Sequence, residues 1–324
     1  MRNTGGKFML QSTLSEDNEL YFYTIKYKLF EESLCKAEMR YLFNNVPDNK
    51  FFFSKHYITP SRSAFIKQCI SIIYKASSLD KLVEQILHNN LSYEDFKVCY
   101  ISIDDTSIPF EERRRIEYVI GYNVNGFADV HNPEVLLGVT KIQDMWIFGE
   151  LENNNSAWKE HNNKPYSYCN ALDVRLARSL VNIAASNDLN SKLVDPCCGI
   201  GTVVIEALSM GLNIKGYELN KCIAENANKN LEFFNYEAVI ENKDMHTLTE
   251  RFDCAIVDLP YGLFSATTLS DQLSIMKTTR RLADRAIFVT LEDMEAHIKD
   301  CGFTLVDKFS ASKGFFKRII NICA

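Results

Sequence analysis

The chain lacks the signatures of several protein classes, and those gaps narrow the reading before any motif is considered. Its ten cysteines include the adjacent Cys197-Cys198 but no CxxC pair, and its six histidines form no cluster at ligand spacing. That pattern argues against a zinc site and a disulfide framework, so no metal is expected and a reducing compartment is the natural home. No apolar run approaches the roughly 20 residues that span a bilayer. The first residues also lack the charged-then-apolar pattern of a secretory leader. A cytoplasmic protein without membrane contact is the expectation. Excess positive charge is missing too: 36 Lys and Arg stand against 42 Asp and Glu, a net charge of −6. Acidic balance gives no support to non-specific polyanion binding, so any nucleic-acid contact must come from a local basic patch.

What is present fits two globular domains, since 324 residues exceed one ordinary core. Residues 1–18 are polar and read as loose. Alternation over 21–28 reads as a strand, and Leu34, Ala37, Tyr41 and Leu42 recur at helical spacing before the strand-like Phe51-Phe52-Phe53. A β-rich stretch at 65–74, a helix over 79–88 and a strand over 96–103 repeat that order, which suggests a small α+β domain. Residues 109–122 read as a helix whose Arg113-Arg114-Arg115 is better explained as a solvated face than as a phosphate contact. Asn132-Pro133 marks a turn before strands at 135–140 and 145–149. The polar stretch 152–164 breaks periodicity and divides the chain into an N-terminal domain, 1–160, and a second domain, 161–324.

The rhythm of the second half is cleaner. Asp173 is a good N-cap for a helix carrying Val174, Ala177, Leu180, Val181 and Ala184 on one face. Strands at 192–194, 213–217, 237–241, 253–257 and 285–290 alternate with helices at 202–210, 221–234, 268–283 and 292–300. Such alternation predicts a Rossmann-like, doubly wound parallel sheet. The closing strands, 303–309 and 315–323, have no helix between them, so one of them is expected to run antiparallel.

Two short strings sit where strands of that sheet end, on the rim where open α/β sheets bind ligands. The first is Asp195-Pro196-Cys197-Cys198-Gly199-Ile200-Gly201-Thr202. Its glycines let backbone pass close under a ligand, and the helix starting near Thr202 aims unpaired N–H groups into the same space. Glu218, about 20 residues beyond the glycines, has the spacing of a carboxylate that reaches ribose hydroxyls. Val204 replaces the third glycine of the dinucleotide fingerprint, so nothing demands a pyrophosphate. Asp195 would repel a pyrophosphate but suits a cationic cofactor. Asp244 and Met245 end the third strand, where an adenine amine and ring could be met, although an ordinary turn Asp explains Asp244 equally well.

The second string is Asp258-Leu259-Pro260-Tyr261-Gly262. Pro260 restricts Leu259 to an extended conformation and so holds its carbonyl. Asp258 and that carbonyl make two fixed acceptors for the two protons of an exocyclic NH₂, and they favour the positive charge that grows on its nitrogen during attack. Tyr261 would stack on the base, a contact worth roughly 1–3 kcal/mol.

These residues resemble a known family. The Asp195–Thr202 string is similar to the S-adenosylmethionine loop of class I methyltransferases. Asp258-Leu259-Pro260-Tyr261 resembles the (Asp/Asn)-x-Pro-Tyr motif of enzymes that methylate exocyclic amines. Lys164-Pro165-Tyr166, Leu172 and Arg175–Asn182 resemble the entry to the catalytic domain of tRNA guanine-N2 methyltransferases that carry an N-terminal THUMP domain. The 313–318 stretch is similar to their last strand. The likeness is strong over 164–324 and weaker over 20–150, where 20–60 would be a ferredoxin-like piece and the remainder THUMP-like. It implies S-adenosylmethionine as cofactor, RNA (most simply tRNA) as partner, and guanine N2 as the methylated atom. It implies a cofactor site of Asp195, Cys197, Gly199, Gly201, Thr202, Glu218, Leu219, Asp244 and Met245. Asp258, Leu259, Pro260 and Tyr261 would form the catalytic set. Cys197 stands where the family commonly has an aromatic residue, a change of packing more than of chemistry.

Three other readings remain. DNA adenine-N6 methyltransferases share the four-residue site but would need a DNA-reading domain, and none is evident. A binding protein that keeps the cofactor without turnover would have no reason to retain Asp258-Leu259-Pro260-Tyr261. A nicotinamide dehydrogenase is opposed by Val204 and Asp195.

Overall fold

The computed structural model describes residues 19–103, 108–168, 171–260, 267–313 and 316–324; the 1–18 segment expected to be loose lies outside them. The chain separates into two compact units. One holds residues through Tyr23, then Phe51–Tyr57 and Cys69–Glu152; the other holds Thr24–Lys50, Ile58–Gln68 and Asn153–Ala324.

In chain order the first elements are β1 (Tyr21–Ile25), α1 (Glu32–Phe43), β2 (Phe51–Ser54), β3 (Ile66–Ala76), α2 (Leu79–His88) and β4 (Ser92–Tyr100). They are followed by α3 (Phe110–Asn123), β5 (Asn125–Ala128), β6 (Val135–Ile142) and β7 (Met145–Asn153). The seven strands form one mixed sheet in the order β2-β1-β3-β7-β6-β4-β5. Leu82 and Ile86 of α2, with Ile116 and Ile120 of α3, bury one face of it against Phe96, Leu137, Val139 and Phe148. Arg114 and Arg115 of α3 are 58% exposed and paired with Glu117 and Glu112 one turn away, the solvated face expected for that arginine run.

The second unit adds α4 (Val174–Ala185), β8 (Lys192–Asp195), α5 (Thr202–Ser209), β9 (Asn213–Glu218), α6 (Lys221–Phe233), β10 (Ile240–Asn242) and β11 (Phe252–Asp258). It closes with α7 (Leu269–Leu282), β12 (Ala283–Thr290), α8 (Glu295–Asp300), β13 (Leu305–Lys313) and β14 (Phe316–Cys323). Its sheet runs β10-β9-β8-β11-β12-β14-β13. β8, β9, β10, β11 and β12 are parallel, whereas β14 is antiparallel to both β12 and β13. The doubly wound sheet expected from the rhythm is therefore present, with its reversed strand at the end of the chain. Central β12 is buried on both faces from Ala286 to Thr290, as a covered parallel strand must be.

Helix α1 belongs to this unit, packed on α4. Its fully buried Glu38 accepts hydrogen bonds from Ser179 Oγ (2.7 Å) and Asn182 Nδ2 (2.6 Å). Burial raises the Glu38 carboxyl above the usual carboxylate range, and these donors pull it back down. The polar 152–164 stretch is held by specific contacts. Asn154 Nδ2 donates to the carbonyls of Pro60, Ser63 and Ile66, and Trp158 and His161 in the turn Ala157–Asn163 are buried.

Candidate active site

Strand order reverses between β8 and β11. β9 and β10 lie to one side of β8, while β11 and β12 lie to the other, and open α/β sheets bind ligands in the crevice at such a switch point. Asp195 closes β8, and Asp258 closes β11, its direct neighbour through the Leu193–Cys254 and Val194–Ala255 pairs. The two strings, more than 60 residues apart in sequence, thus meet because parallel strands end on one rim.

The loop after Asp195 turns sharply. Cys197 N donates to Asp195 Oδ1 (3.3 Å), Cys198 N to the Tyr217 carbonyl (2.9 Å), and Gly201 N to the Cys198 carbonyl (2.9 Å). Gly199 and Gly201 adopt φ of 53° and 81°, the left-handed region that disfavours side chains. Each also has a steric reason to be glycine. A Cβ on Gly199 would strike the Tyr168 hydroxyl, and one on Gly201 would lie 2.8 Å from Ile240 Cδ1. Glu218 fixes the loop from β9: its Oε2 accepts from Gly199 N (3.1 Å) and its Oε1 from Asn220 N (2.8 Å). Each oxygen keeps a second lone pair for a ligand.

Beyond β10, Asp244 caps the turn Met245–Thr247 by accepting from His246 N at 2.9 Å. Met245 is buried, its sulfur 3.6 Å from that of Cys197. Cys197 therefore packs rather than reacts, and burial pushes its thiol up, with Asp195 adding to the effect. On β11, Leu259 N donates to the Val289 carbonyl (3.1 Å), so β12 still holds the backbone past Asp258. The Leu259 side chain is buried in the core, and the Pro260 carbonyl accepts from Gln272 Nε2 of α7 at 2.9 Å. Tyr261 lies outside the described residues.

Asp195, Cys197, Gly199, Thr202, Glu218, Leu219, Asp244, Met245, Asp258, Leu259 and Pro260 all line one cavity of about 600 Å³, the size range of small-ligand sites. Gly201 lies under the loop, against Ile240, and does not line it. The cavity is acidic. Burial raises the Asp195 carboxyl well above its ordinary value; the Cys197 amide lowers it, and the charges of Asp258 and Glu218 raise it further. Burial, then Glu218, Asp258 and Asp195, push the Tyr168 hydroxyl up in the same way. Three carboxylates that repel one another around an apolar slot favour a cationic ligand. Thr202 also lines the cavity, and among the described residues its buried Oγ1 has no hydrogen-bond partner.

Sequence reasoning missed Tyr168, Lys243 and His246, which also line the cavity. Lys243 and His246 sit beside residues already singled out. Tyr168 has no such signal, because it reaches Gly199 only through the fold. Among the described residues no group of three or more His, Cys, Asp or Glu is placed to hold a metal ion, and no helix is long and apolar enough to cross a membrane.

Residues 162–295 match the family described as UPF0020, RMKL-like, methyltransferase domain. A tRNA (guanine(10)-N2)-dimethyltransferase of Methanothermobacter thermautotrophicus is 26% identical over 226 residues, covering 65% of each chain. One from Pyrococcus abyssi is 26% identical over 170 residues, covering 49% of this chain and 50% of its own. The matched stretches thus span less than two thirds of either relative. Among solved structures, TrmN from Thermus thermophilus aligns over 94% of this chain and 99% of its own, with 13% identity and a TM-score of 0.46. The likeness to the RMKL-like UPF0020 methyltransferase family thus rests on 162–295, less than half of the chain.

Proposed function

We propose that this protein is an S-adenosylmethionine-dependent methyltransferase acting on the exocyclic N2 of guanine in tRNA, in the cytoplasm. The observation that carries the reading is the meeting of Asp258-Leu259-Pro260 with an acidic, nucleoside-sized cavity at the switch point of the sheet. The curated relatives' names support the choice of guanine N2 and of tRNA. In this reading 161–324 carries the chemistry, and 1–160 is a ferredoxin-like and THUMP-like region that contacts the RNA.

Asp195 would hold the cofactor's ammonium group, Glu218 its ribose hydroxyls and Asp244 its adenine amine, with Met245 and Leu219 on the ring. Thr202 offers a hydroxyl to its carboxylate. When bound, S-adenosylmethionine supplies an electrophilic methyl group on a sulfonium. Asp258 and the Leu259 carbonyl accept the two N–H bonds of the guanine amine and orient its nitrogen. The guanine must be turned out of its stack to reach them. Its proton becomes acidic only as positive charge develops on nitrogen, so Asp258 acts by position and charge and no strong base is required.

The test is direct. Purified protein, unmodified tRNA and a radioactive methyl donor should yield N2-methylated guanosine after nuclease digestion. Label on deoxyadenosine of DNA, or cofactor binding without labelling of any nucleic acid, would refute the assignment.

Asp195 provides a second test. Its raised carboxyl means that the folded protein holds this proton more tightly than the unfolded chain does. That contribution to stability is complete at low pH and is lost as pH rises through the folded value. Asp195→Asn should therefore melt higher than the parent without cofactor at pH 8, with the gap closing toward pH 4. The same variant should bind S-adenosylmethionine about 10- to 100-fold more weakly, the loss of one charge-assisted hydrogen bond. Calorimetric titration and thermal melts across pH would show whether the two effects run in opposite directions.

A further inference from the structure

We propose that a second cavity, at the same rim of the second sheet, seats the RNA nucleotide that neighbours the target guanine. The inference rests on the RNA reading above and adds to it a built site outside the cofactor cavity. The cavity measures about 400 Å³ and is walled entirely by the second unit.

Two relations tie it to the chemistry. The start of α4 is a shared wall: Leu172 lines the cofactor cavity, while Asp173, Arg175 and Leu176 line the second one. Across the sheet, Asp258 pairs with Val289, and Val289 with Ile320. Arg318, which lines the second cavity, lies two residues further toward the rim, roughly 12 Å from Asp258 between Cα atoms by strand spacing and rise. The nucleotides flanking an extruded base fall within that span.

The lining has the chemistry of a nucleotide site. Among the described residues that line it, four cationic side chains, Lys28, Lys159, Arg175 and Arg318, stand with two carboxylates, Glu31 and Asp173, in a chain whose net charge is −6. Here is the local basic patch that an acidic RNA enzyme requires. Arg175 is held in advance. Its guanidinium lies 5.4 Å from the Trp158 ring and 5.6 Å from the Phe65 ring, and Nη1 is 2.7 Å from Glu31 Oε1. The fork leaves further N–H donors for a phosphate. Trp158 lines the cavity and is 6% exposed, and among the described residues its buried indole N–H has no hydrogen-bond partner. Such a donor is one that a ligand oxygen or an ordered water would satisfy. Phe30 is 49% exposed, with Lys28 Nζ 5.7 Å from its ring centre, and offers a face on which a base can stack.

The test removes charge at the exposed lip of the cavity without touching the core. K28E/K159E is compared with K277E/K299E, which makes the same change of net charge on α7 and α8. Binding of an unmodified tRNA transcript is followed by fluorescence anisotropy over a range of salt, and S-adenosylmethionine binding by calorimetry. K28E/K159E should lose tenfold or more in RNA affinity and flatten the slope of log K against log salt by about 1.5 to 2. The control pair should change little, and cofactor affinity should hold in both. In a W146F background, Trp158 is the sole tryptophan and its emission should change when tRNA binds. Equal RNA affinity and slope for the two double variants, with no response of Trp158, would overturn the site while leaving the methylation reading intact. Cavity-dependent RNA binding by a protein that transfers no methyl group would do the reverse.

Discussion

Asp258→Ala is expected to lower kcat by about 100-fold or more while S-adenosylmethionine still binds within a few-fold of the parent affinity. The reasoning starts from the strand. Asp258 is the last residue of β11, paired with Val289, and Leu259 N remains bonded to the Val289 carbonyl. Pro260 then restricts Leu259, and Gln272 pins the Pro260 carbonyl. Backbone on both sides of Asp258 is therefore fixed before a substrate arrives, and alanine removes the carboxylate without calling for that backbone to move. The amine would lose one of its two acceptors, and the charge opposite the developing ammonium would be gone. An effect confined to kcat identifies a group that acts on the reacting nitrogen. A loss shared by KM, or by cofactor affinity, would point instead to a collapsed pocket. Equal turnover by the variant would remove Asp258 from the chemistry.

The residues that made the site legible in the sequence are those whose roles are local. Asp195 and Asp258 stand at the ends of short apolar runs, and strand ends on one rim meet whatever the loop lengths between them. Asp173 caps α4 as its position suggests, accepting from Arg175 N at 3.0 Å. The two unbroken closing strands required a reversal of direction, which β14 provides. Long-range packing was not legible. Nothing in the sequence marks Glu38 as buried, yet it is fully buried against Ser179 and Asn182, partners more than 140 residues away. No periodicity in α1 says which surface will cover it, so the grouping of 24–50 with the second half stays hidden until the chain is folded. Gly199 was read as clearance for a ligand; the structure adds the Tyr168 hydroxyl, which fills the space a side chain would need. In the stretch that breaks periodicity, Asn154 is polar because its side chain bonds to the backbone carbonyls of Pro60, Ser63 and Ile66, which no local pattern reveals.

Glu206→Gln is expected to destabilise the second unit by about 3–5 kcal/mol, the range for removing one partner of a buried ion pair. Glu206 sits in α5, the helix that begins at the cofactor loop, and is fully buried. One oxygen lies 2.5 Å from His161 Nδ1 and the other 2.6 Å from Arg178 Nη1. Arg178, itself 5% exposed, extends the network: Nε donates to the Arg62 carbonyl (2.9 Å) and Nη2 to the Ser61 carbonyl (2.8 Å). One carboxylate thus joins α5, α4, the Ala157–Asn163 turn and the Pro60–Arg62 turn. Glutamine keeps the volume and an oxygen that can accept from Arg178 Nη1, but it loses the charge opposite the buried guanidinium, and its NH₂ forces His161 into the tautomer whose Nδ1 accepts. In a unit of this size the loss corresponds to a fall in Tm of roughly 10 °C. Urea unfolding should show a lower midpoint at an unchanged slope, the mark of altered stability rather than of an altered unfolded state. A midpoint that moves by less than about 1 kcal/mol equivalent would mean that the surrounding carbonyls hold Arg178 without Glu206. Because the same helix carries Thr202 into the cofactor cavity, the variant should also bind S-adenosylmethionine more weakly as temperature rises. The Asp258 variant should not share that loss, and this contrast separates support of the site from action within it.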